Sequence, residues 1–326
     1  MATKVGTSAG VGHDPVVDDL WDCIIVGGGA AGLSAALVLG RARQRTLLID
    51  AGGQSNLPAE GVGGLLGHDG QSPTALYAAA HRELAAYPTV EVRQGEVVSG
   101  SRFEGRIDLR LLDGSQCRAR RVLLATGMDY ERPTVAGIDV RWGRSVFHCP
   151  FCHGWEVRGL PLGVLDSGES GVRRALLLRE WSGSVTIYSN GPAGLDDGDA
   201  RRLRAAGVTV DDRHVVELCG PGTSLTAVRF ADGTEGICEA LLVPVTLKQR
   251  SPLGAQLGVD LAEPGPVAFD AVRVDAMNRT SVPEVYAAGD TTTMPSVANA
   301  IASGSVAAAM IVHDLVAEAH GLARAA

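Results

Sequence analysis

The sequence predicts an α/β protein with two Rossmann-like, three-layer ββα nucleotide-binding domains, the second inserted in the first. Two β-α-β patterns predict this fold, one starting near residue 22 and the other near residue 160. A strand and a long helix occur late in the chain, so the chain returns to its first domain after about residue 250. The predicted parts are a flexible tail at 1–19, a first domain from 20–138 and 251–326, and a central domain at 139–250.

The first domain opens with a β-α-β unit. Asp22–Val26 is a short apolar run that predicts a buried strand, Ala30–Gly40 a helix rich in Ala and Leu, and Thr46–Ile49 a second buried strand. A glycine-rich loop spans residues 51–70. The later predicted elements are a helix at Ser72–Tyr87, strands at Val90–Arg93, Arg106–Leu112, Val122–Ala125 and Val285–Ala288, and a closing helix at about Ser296–His320.

The central domain repeats the pattern. Asp232–Gly233 is a favoured hairpin turn pair. The other predicted elements are strands at Leu160–Leu165, Ser184–Tyr188 and Val208–Val210 and helices at about Ser170–Trp181 and Ala200–Ala206.

Composition excludes several classes of protein. The chain of 326 residues has a net charge of −8, so it lacks the basic surface of a nucleic-acid binder. No apolar run approaches the ~20 residues of a membrane span, and the first twenty residues lack a signal-peptide core. Six cysteines do not make a disulfide scaffold. We expect a cytoplasmic protein.

Residues 27–32 form a G-x-G-x-x-G loop between the first strand and helix. Gly27 allows the tight turn, Gly29 lets the backbone approach a pyrophosphate, and Gly32 lets helix and strand pack closely. Ala30 and Ala31 start the helix, whose free N–H groups favour an anion. Asp50 ends the second strand, where a carboxylate can bind ribose hydroxyls. A glycine turn in an ordinary α/β domain is the alternative.

Two further segments favour FAD over NAD. Ala125, Thr126 and Gly127 end one strand, and Gly289 and Asp290 follow another that precedes a helix of small residues. The acid there can bind the ribityl chain or a water linked to the pyrophosphate. A plain helix cap is the alternative for the acid.

Cys149 and Cys152 form a C-x-x-C motif. Such a pair closes a disulfide with little backbone change, and its thiols tend to have lowered pKa values. Pro150 suits the first position of a short helix, which would place Cys149 at the helix start. Half of a zinc site or a pair of inert buried cysteines are the alternatives. The other cysteines offer no second close pair, and we predict no metal.

Two histidines flank the cysteine pair. His153 is the stronger candidate for a proton carrier, and His148 stays open, because imidazole titrates near neutral pH. Four aromatic residues occur nearby and are expected to pack, in one interpretation around a ring-shaped substrate: Trp142, Phe147, Phe151 and Trp155.

Together the glycine loop, the ATG segment at 125–127, the C-x-x-C in the second domain and AAGD at 287–290 resemble the low-molecular-weight thioredoxin reductases. CPFCHGWE at 149–156 and VANAIASGSV at 297–306 are similar to one branch, the dithiol oxidases that form disulfides in natural products such as gliotoxin and holomycin.

This resemblance implies roles for several residues. Cys152 would lie against the flavin, Cys149 would exchange disulfides with the substrate, and His153 stands where thioredoxin reductases carry an acidic proton donor. Val297 would contact the flavin through its backbone. Family members are usually homodimers. The remaining candidate FAD-binding residues are Ala51, Asn56 and Val97.

The second nucleotide loop departs from the family pattern. Asp166 replaces the first glycine of the fingerprint and brings a carboxylate close to the expected pyrophosphate position. Residues 188–191 carry none of the cations that bind a 2′-phosphate in thioredoxin reductases. NADPH therefore fits poorly.

We therefore predict an enzyme that oxidises a small-molecule dithiol to a disulfide. Electrons would pass through FAD to dioxygen and give hydrogen peroxide. The alternatives are an NADPH- or ferredoxin-dependent disulfide reductase and a catalytically silent flavoprotein that acts as a redox sensor or binding partner.

Overall fold

A computed structural model describes residues 20–323 of the chain. The predicted flexible tail at 1–19 lies outside the described residues. Elements are numbered in chain order.

The first sheet has seven strands in the order β3-β2-β1-β6-β5-β4, with β17 paired to β6. Strand β6 pairs with β5 through its first half and with β17 through its second half. Strands β1, β2, β3, β6 and β17 are parallel, and β4 and β5 add an antiparallel edge that includes one strand the sequence analysis missed. The strands are β1 (Leu20–Val26), β2 (Thr46–Asp50), β3 (Val90–Gln94), β4 (Val97–Phe103), β5 (Arg106–Leu111), β6 (Gln116–Leu124) and β17 (Val285–Ala287).

Three helices cover one face of this sheet: α1 (Ala30–Arg41), α2 (Pro73–Leu84) and α8 (Val297–Ala319). Helices α1 and α8 approach so closely that a Cβ on Gly304 would lie 2.1 Å from the Ala31 carbonyl oxygen. Ser72 and Ser296 cap α2 and α8 with their side chains, which fixes where each helix begins.

Helix α8 corrects the expectation that no apolar run approaches the length of a membrane span. Its 23 residues have a mean hydropathy of 1.6 in the most apolar window, long and apolar enough to cross a membrane by length and composition alone. Its buried face, which includes Ala307, Ile311 and Leu315, belongs to the core beneath the first sheet. A buried core helix passes the same test.

The second sheet has five parallel strands in the order β11-β10-β9-β15-β8. A separate three-stranded antiparallel sheet contains the predicted hairpin, which turns at Asp232–Gly233 and is confirmed. These elements are β8 (Val146–Phe147), β9 (Leu162–Leu165), α5 (Gly168–Leu178), β10 (Val185–Tyr188), α6 (Asp197–Ala205), β11 (Val208–Asp211), β12 (Val215–Cys219), β13 (Ala227–Phe230), β14 (Glu235–Ile237) and β15 (Ala240–Leu242).

A two-stranded antiparallel sheet forms where the chain passes from the first sheet to the second and back. It pairs β7 (Met128–Glu131), on the way into the second sheet, with β16 (Thr246–Gln249), on the way back. The predicted fold class is confirmed, and the domain boundaries at 138 and 251 stay a prediction. The remaining elements are α3 (Ile138–Arg141), α4 (Pro150–His153), α7 (Leu253–Leu257) and a 3₁₀ helix (Gly289–Thr291).

Candidate active site

One cavity of about 940 Å³ gathers nearly all the predicted site residues. Gly32 does not line it, because this residue lies where α1 meets the loop: a Cβ there would be 1.9 Å from the Gly27 carbonyl oxygen. The predicted residues that line the cavity are Gly27, Gly29, Ala30, Ala31, Asp50, Ala51, Asn56, Val97, Ala125, Thr126, Gly127, Cys149, Cys152, His153, Gly289, Asp290 and Val297.

The glycine loop presents backbone to this cavity. Gly27 has φ +112°, and a Cβ there would lie 2.2 Å from the Ala125 carbonyl oxygen, so the turn tolerates only glycine. Among the described residues no side chain caps the start of α1 at Gly29, and the first turn carries no acid. Its first N–H groups and the positive end of its dipole are therefore available to an anion.

Asp50 braces the loop. Its Oδ1 accepts hydrogen bonds from the backbone of Gly28 at 3.1 Å and Gly52 at 3.0 Å, and Gln54 donates to Oδ2 at 3.0 Å. The carboxylate also lines the cavity. Its predicted contact with ribose hydroxyls stays a prediction.

A second polar pair lies on the cavity wall. The Tyr77 hydroxyl donates to Asn56 Oδ1 at 2.8 Å, and burial raises the pKa of Tyr77 to about 12. The amide nitrogen of Asn56 is buried and has no partner among the described residues. Since buried donors are normally satisfied, this amide is a candidate donor to a bound group.

Asp290 occupies the 3₁₀ helix after β17. Its Oδ2 accepts a hydrogen bond from the Tyr130 hydroxyl at 2.8 Å. Burial raises the pKa of Asp290, while the Tyr130 hydrogen bond and the Arg250 guanidinium oppose that rise. Arg250 itself donates to Asp129 at 2.9 Å and to the carbonyl oxygen of Gly53 at 2.9 Å.

Cys149 and Cys152 form a disulfide with Cα atoms 5.3 Å apart. Pro150 is the first residue of α4 and Cys149 is its N-cap, as the sequence predicted. A loop of the first domain packs on the pair, because a Cβ on Gly63 would lie 2.6 Å from the Cys152 carbonyl oxygen. The disulfide is therefore held in the wall of this cavity.

His153 lies on the same wall with its ring stacked on Phe147, centroids 5.5 Å apart. Neither ring nitrogen has a well-formed hydrogen bond among the described residues. Burial lowers the pKa of His153, while the nearby backbone of Gly143 and Cys149 and the charge of Glu156 oppose that shift. A neutral imidazole can accept a proton released at the cysteine pair.

His148 stacks on Trp142, with centroids 5.7 Å apart, and lies 4.9 Å from the Tyr130 ring. Burial first, and then the charges of His153 and Arg174, together lower the pKa of His148 to about 4. His148 is therefore neutral near pH 7.

The predicted aromatic cluster is divided. Trp142, Phe147 and Phe151 line the cavity, but Trp155 does not. Phe151 is 72% exposed at the mouth and meets Trp181 edge to face. Trp155 is 67% exposed and lies under the Arg158 guanidinium. The interpretation that all four aromatic residues surround one ring-shaped substrate was therefore wrong.

The second nucleotide loop, at 166–171, is filled by its own carboxylate. Asp166 Oδ1 accepts from the Ser167 backbone at 2.8 Å, and Oδ2 accepts from the Ser170 hydroxyl at 2.7 Å. Arg174 lies 3.4 Å from Oδ2. The Asp166 carboxylate therefore adds a negative charge to this loop, although no side chain caps the start of α5 at Ser167 among the described residues.

No group of three metal-ligating side chains is found within residues 20–323. Among the remaining cysteines, Cys23, Cys117 and Cys238 are buried and Cys219 is partly exposed. Burial raises the pKa of Cys238 to about 12, which disfavours a thiolate ligand.

Sequence reasoning missed several cavity residues, among them Gln54, Tyr77, Tyr130 and Arg250. Tyr130 follows the ATG segment by three residues, which is the only local signal. The others come from loops and helices whose approach to the cavity depends on the tertiary fold.

Two nucleotide-type sheets with a disulfide at a glycine-loop cavity define a nucleotide-dependent thiol–disulfide oxidoreductase. The chain belongs to the pyridine nucleotide-disulphide oxidoreductase family, whose model matches residues 21–304. It is a flavin-dependent enzyme of the thioredoxin reductase-like type, so the predicted family resemblance is confirmed.

Individual relatives agree with this assignment. Thioredoxin reductase tcpT of Claviceps purpurea is 31% identical over 316 residues, which cover 92% of this chain and 96% of the relative. The crystal structure of HlmI is 36% identical with a TM-score of 0.86, covering 92% of this chain and 94% of that one. An oxidoreductase from Agrobacterium tumefaciens is 34% identical with a TM-score of 0.85, covering 91% and 98%.

Proposed function

We propose that the protein binds FAD and oxidises a small-molecule dithiol to a disulfide, with dioxygen as the final electron acceptor and hydrogen peroxide as the second product. The observation that carries this proposal is the Cys149–Cys152 disulfide in the wall of the glycine-loop cavity. The resemblance to disulfide-forming enzymes of natural-product pathways favours a cyclic or cyclisable dithiol metabolite as substrate.

The cavity residues fit FAD. The uncapped start of α1 offers backbone N–H groups to a pyrophosphate. Asp50, at the end of the neighbouring strand β2, lines the cavity where its carboxylate can accept hydrogen bonds from a ribose. The unpartnered Asn56 amide and the Asp290 carboxylate offer a donor and an acceptor further along the cavity. When bound, FAD would supply the two-electron acceptor that restores the disulfide, and dioxygen would reoxidise it.

The chain's own residues account for the exchange with the substrate. One substrate thiolate attacks Cys149 Sγ, forms a mixed disulfide and releases Cys152 as a thiolate. The second substrate thiol then attacks the mixed disulfide, closes the product disulfide and releases Cys149. His153, uncharged beforehand, takes up a proton from the thiols. Two electrons have then moved from the dithiol to the cysteine pair.

The second loop supports a dithiol rather than NADPH as the electron donor. Asp166 places a negative charge in this loop, which disfavours a pyrophosphate. Residues 188–191 contain no Arg or Lys for a 2′-phosphate. Protein dithiol couples near about −200 mV lie far below dioxygen, so electron flow from a dithiol to dioxygen is downhill.

An oxygen-electrode assay of the purified yellow protein tests the proposal. With dithiothreitol as the dithiol probe we expect oxygen uptake, peroxide formation and no dependence on NADPH. The Cys149→Ser variant should lose turnover and keep its flavin, while Cys219→Ser serves as the matched cysteine control. Flavin bleaching by NADPH under anaerobic conditions would instead favour the reductase, and failure of every dithiol to reduce the flavin would favour a redox sensor.

Family members are usually homodimers, and we extend that assembly to this chain. Light scattering of the flavin-loaded protein checks it, with a mass near twice that of the monomer as the expected result.

A further inference from the structure

Tyr130 connects the two walls of the cavity. It lies in β7, one strand of the two-stranded sheet between the first and second sheets. Its hydroxyl donates to Asp290 Oδ2 at 2.8 Å. Its ring lies 4.9 Å from the ring of His148, which directly precedes Cys149. One side chain thus touches both the wall that carries Asp290 and the wall that carries the disulfide.

The partner strand holds the Asp290 segment from the other side. In β16, Gln249 donates to the Thr291 carbonyl oxygen at 2.9 Å and accepts from the Thr291 hydroxyl at 2.6 Å. The 3₁₀ helix is therefore tied to both strands of the two-stranded sheet. This leaves the Asp290 backbone fixed and makes its side-chain direction depend on Tyr130.

The charged and titratable groups around Asp290 are few. Tyr130 faces it from β7, Arg250 from the segment after β16, and Tyr77 from α2. The Arg250 guanidinium donates to Asp129 and to backbone carbonyl oxygens, and none of these hydrogen bonds reaches Asp290. Among the described residues, the Tyr130 hydroxyl is therefore the one hydrogen-bond donor to the Asp290 carboxylate.

We propose that Tyr130 is a positioning residue of this enzyme: its hydroxyl aims the Asp290 carboxylate at the cofactor, and its ring supports the His148 wall beside the disulfide. The proposal rests on the proposed function in one respect, that FAD fills this cavity. It assigns to Tyr130 the part of FAD affinity that depends on Asp290 as a hydrogen-bond acceptor.

The electrostatics agree with this geometry. Burial raises the pKa of Asp290, and the hydrogen bond from Tyr130 is the first effect that opposes the rise. Burial also raises the pKa of Tyr130, so the hydroxyl keeps its proton and stays a donor. Without that hydroxyl, Asp290 would take up a proton at a higher pH and accept hydrogen bonds less well.

The Tyr130→Phe variant removes one oxygen and keeps the ring. The experiment titrates FAD into deflavinated protein and follows quenching of flavin fluorescence from pH 5 to 8. We expect roughly tenfold weaker binding, the scale of one lost hydrogen bond to a charged group, and a shift of the acid-side loss of affinity to higher pH. Tyr87→Phe, whose hydroxyl accepts from Arg41 at 3.1 Å outside the cavity, is the matched control and should change neither.

A double-mutant cycle separates positioning from general loosening. In an Asp290→Asn background the added Tyr130→Phe change should have little further effect on FAD affinity. Equal FAD affinity and an unchanged pH profile in Tyr130→Phe would overturn the proposal, as would fully additive effects in the cycle. The titration needs no dithiol turnover, so a failed oxygen-electrode assay would leave this result standing.

Discussion

The two glycine loops of this chain occupy the same place in two related β-α-β units and differ in the charges that they carry. At 27–32 the backbone turns tightly and leaves the first N–H groups of α1 without a side-chain partner among the described residues. At 166–171 the Asp166 carboxylate accepts from a backbone N–H and a hydroxyl and lies beside Arg174. Neither helix start is capped by a side chain among the described residues, but the second loop carries its own carboxylate and α5 has Glu169 in its first turn, and both negative charges disfavour an anion there.

This difference supports the proposal that the second loop does not hold NADPH. The second sheet still presents the disulfide at the carboxyl ends of its strands, because β8 runs directly into His148 and Cys149. In the proposed function, the central domain serves as the support of the cysteine pair.

The largest expected effect comes from the same substitution made in both loops. Gly27→Ala places a Cβ 2.2 Å from the Ala125 carbonyl oxygen at φ +112°, whereas Gly168 has φ +57° and nothing within 4 Å. We expect Gly27→Ala to lower FAD affinity by a factor above about 100 and Gly168→Ala to cost only about 1 kcal/mol of stability. Flavin titration and thermal unfolding of both variants measure this, and equal flavin loss would show that the loops are equivalent.

The free energy of unfolding at low pH should depend on His148, whose pKa is lowered in part by the Arg174 charge at the second loop. Burial, then His153 and Arg174, lower its pKa from 6.5 to about 4. Between those values the unfolded chain binds more protons, so the free energy of unfolding falls as pH drops from 6.5 to 4, by roughly 3 kcal/mol at most.

The His148→Gln variant should flatten this pH dependence, as measured by urea unfolding at several pH values. His81→Gln, at an exposed position of α2, is the control and should keep the slope. An unchanged slope in His148→Gln would contradict the assignment.

Opening the second loop should have a moderate effect. Asp166→Gly frees the Ser167 N–H, the Ser170 hydroxyl and Arg174, and we expect NADPH binding to improve about tenfold in a fluorescence titration. Asp196→Gly is a matched control, because Asp196 caps α6 in the same domain by accepting from the Asp199 backbone at 2.7 Å. If both variants bind NADPH like the parent chain, the carboxylate is not what closes the loop.

The smallest effect is expected where the first domain's loop reaches the segment before the disulfide. Glu60 and Arg144 form an ion pair there, with the Glu60 side chain 78% exposed. Because exposed pairs contribute little, Glu60→Gln should change stability by less than about 1 kcal/mol and leave turnover intact. A large loss of dithiol oxidation in Glu60→Gln would mean that the pair holds the disulfide in place.

Sequence reasoning located the strands of both sheets best where apolar residues are continuous, as in β1 and β2. It missed β4, whose sequence VVSGSRF is half polar and lies at the sheet edge. Helix α2 ends at Leu84 rather than at the predicted Tyr87, because no strong stop signal marks its end.

The site was predictable where a local motif carries it, as with the glycine loop, the cysteine pair and Asp290. Tyr130, Arg250 and Gln54 could not be assigned, because they reach the cavity from separate segments that only the tertiary fold brings together. The closure of the second loop was visible in sequence as Asp166, but its partners Ser170 and Arg174 needed coordinates.

The close approach of Gly63 to the Cys152 carbonyl oxygen has a practical meaning for protein engineering. The redox motif and the 61–64 loop are a matched set contributed by distant parts of the chain. Transplanting CPFC alone into a homologous scaffold would transfer the two cysteines without the loop that packs on them. A graft intended to confer this chemistry therefore has to carry both segments.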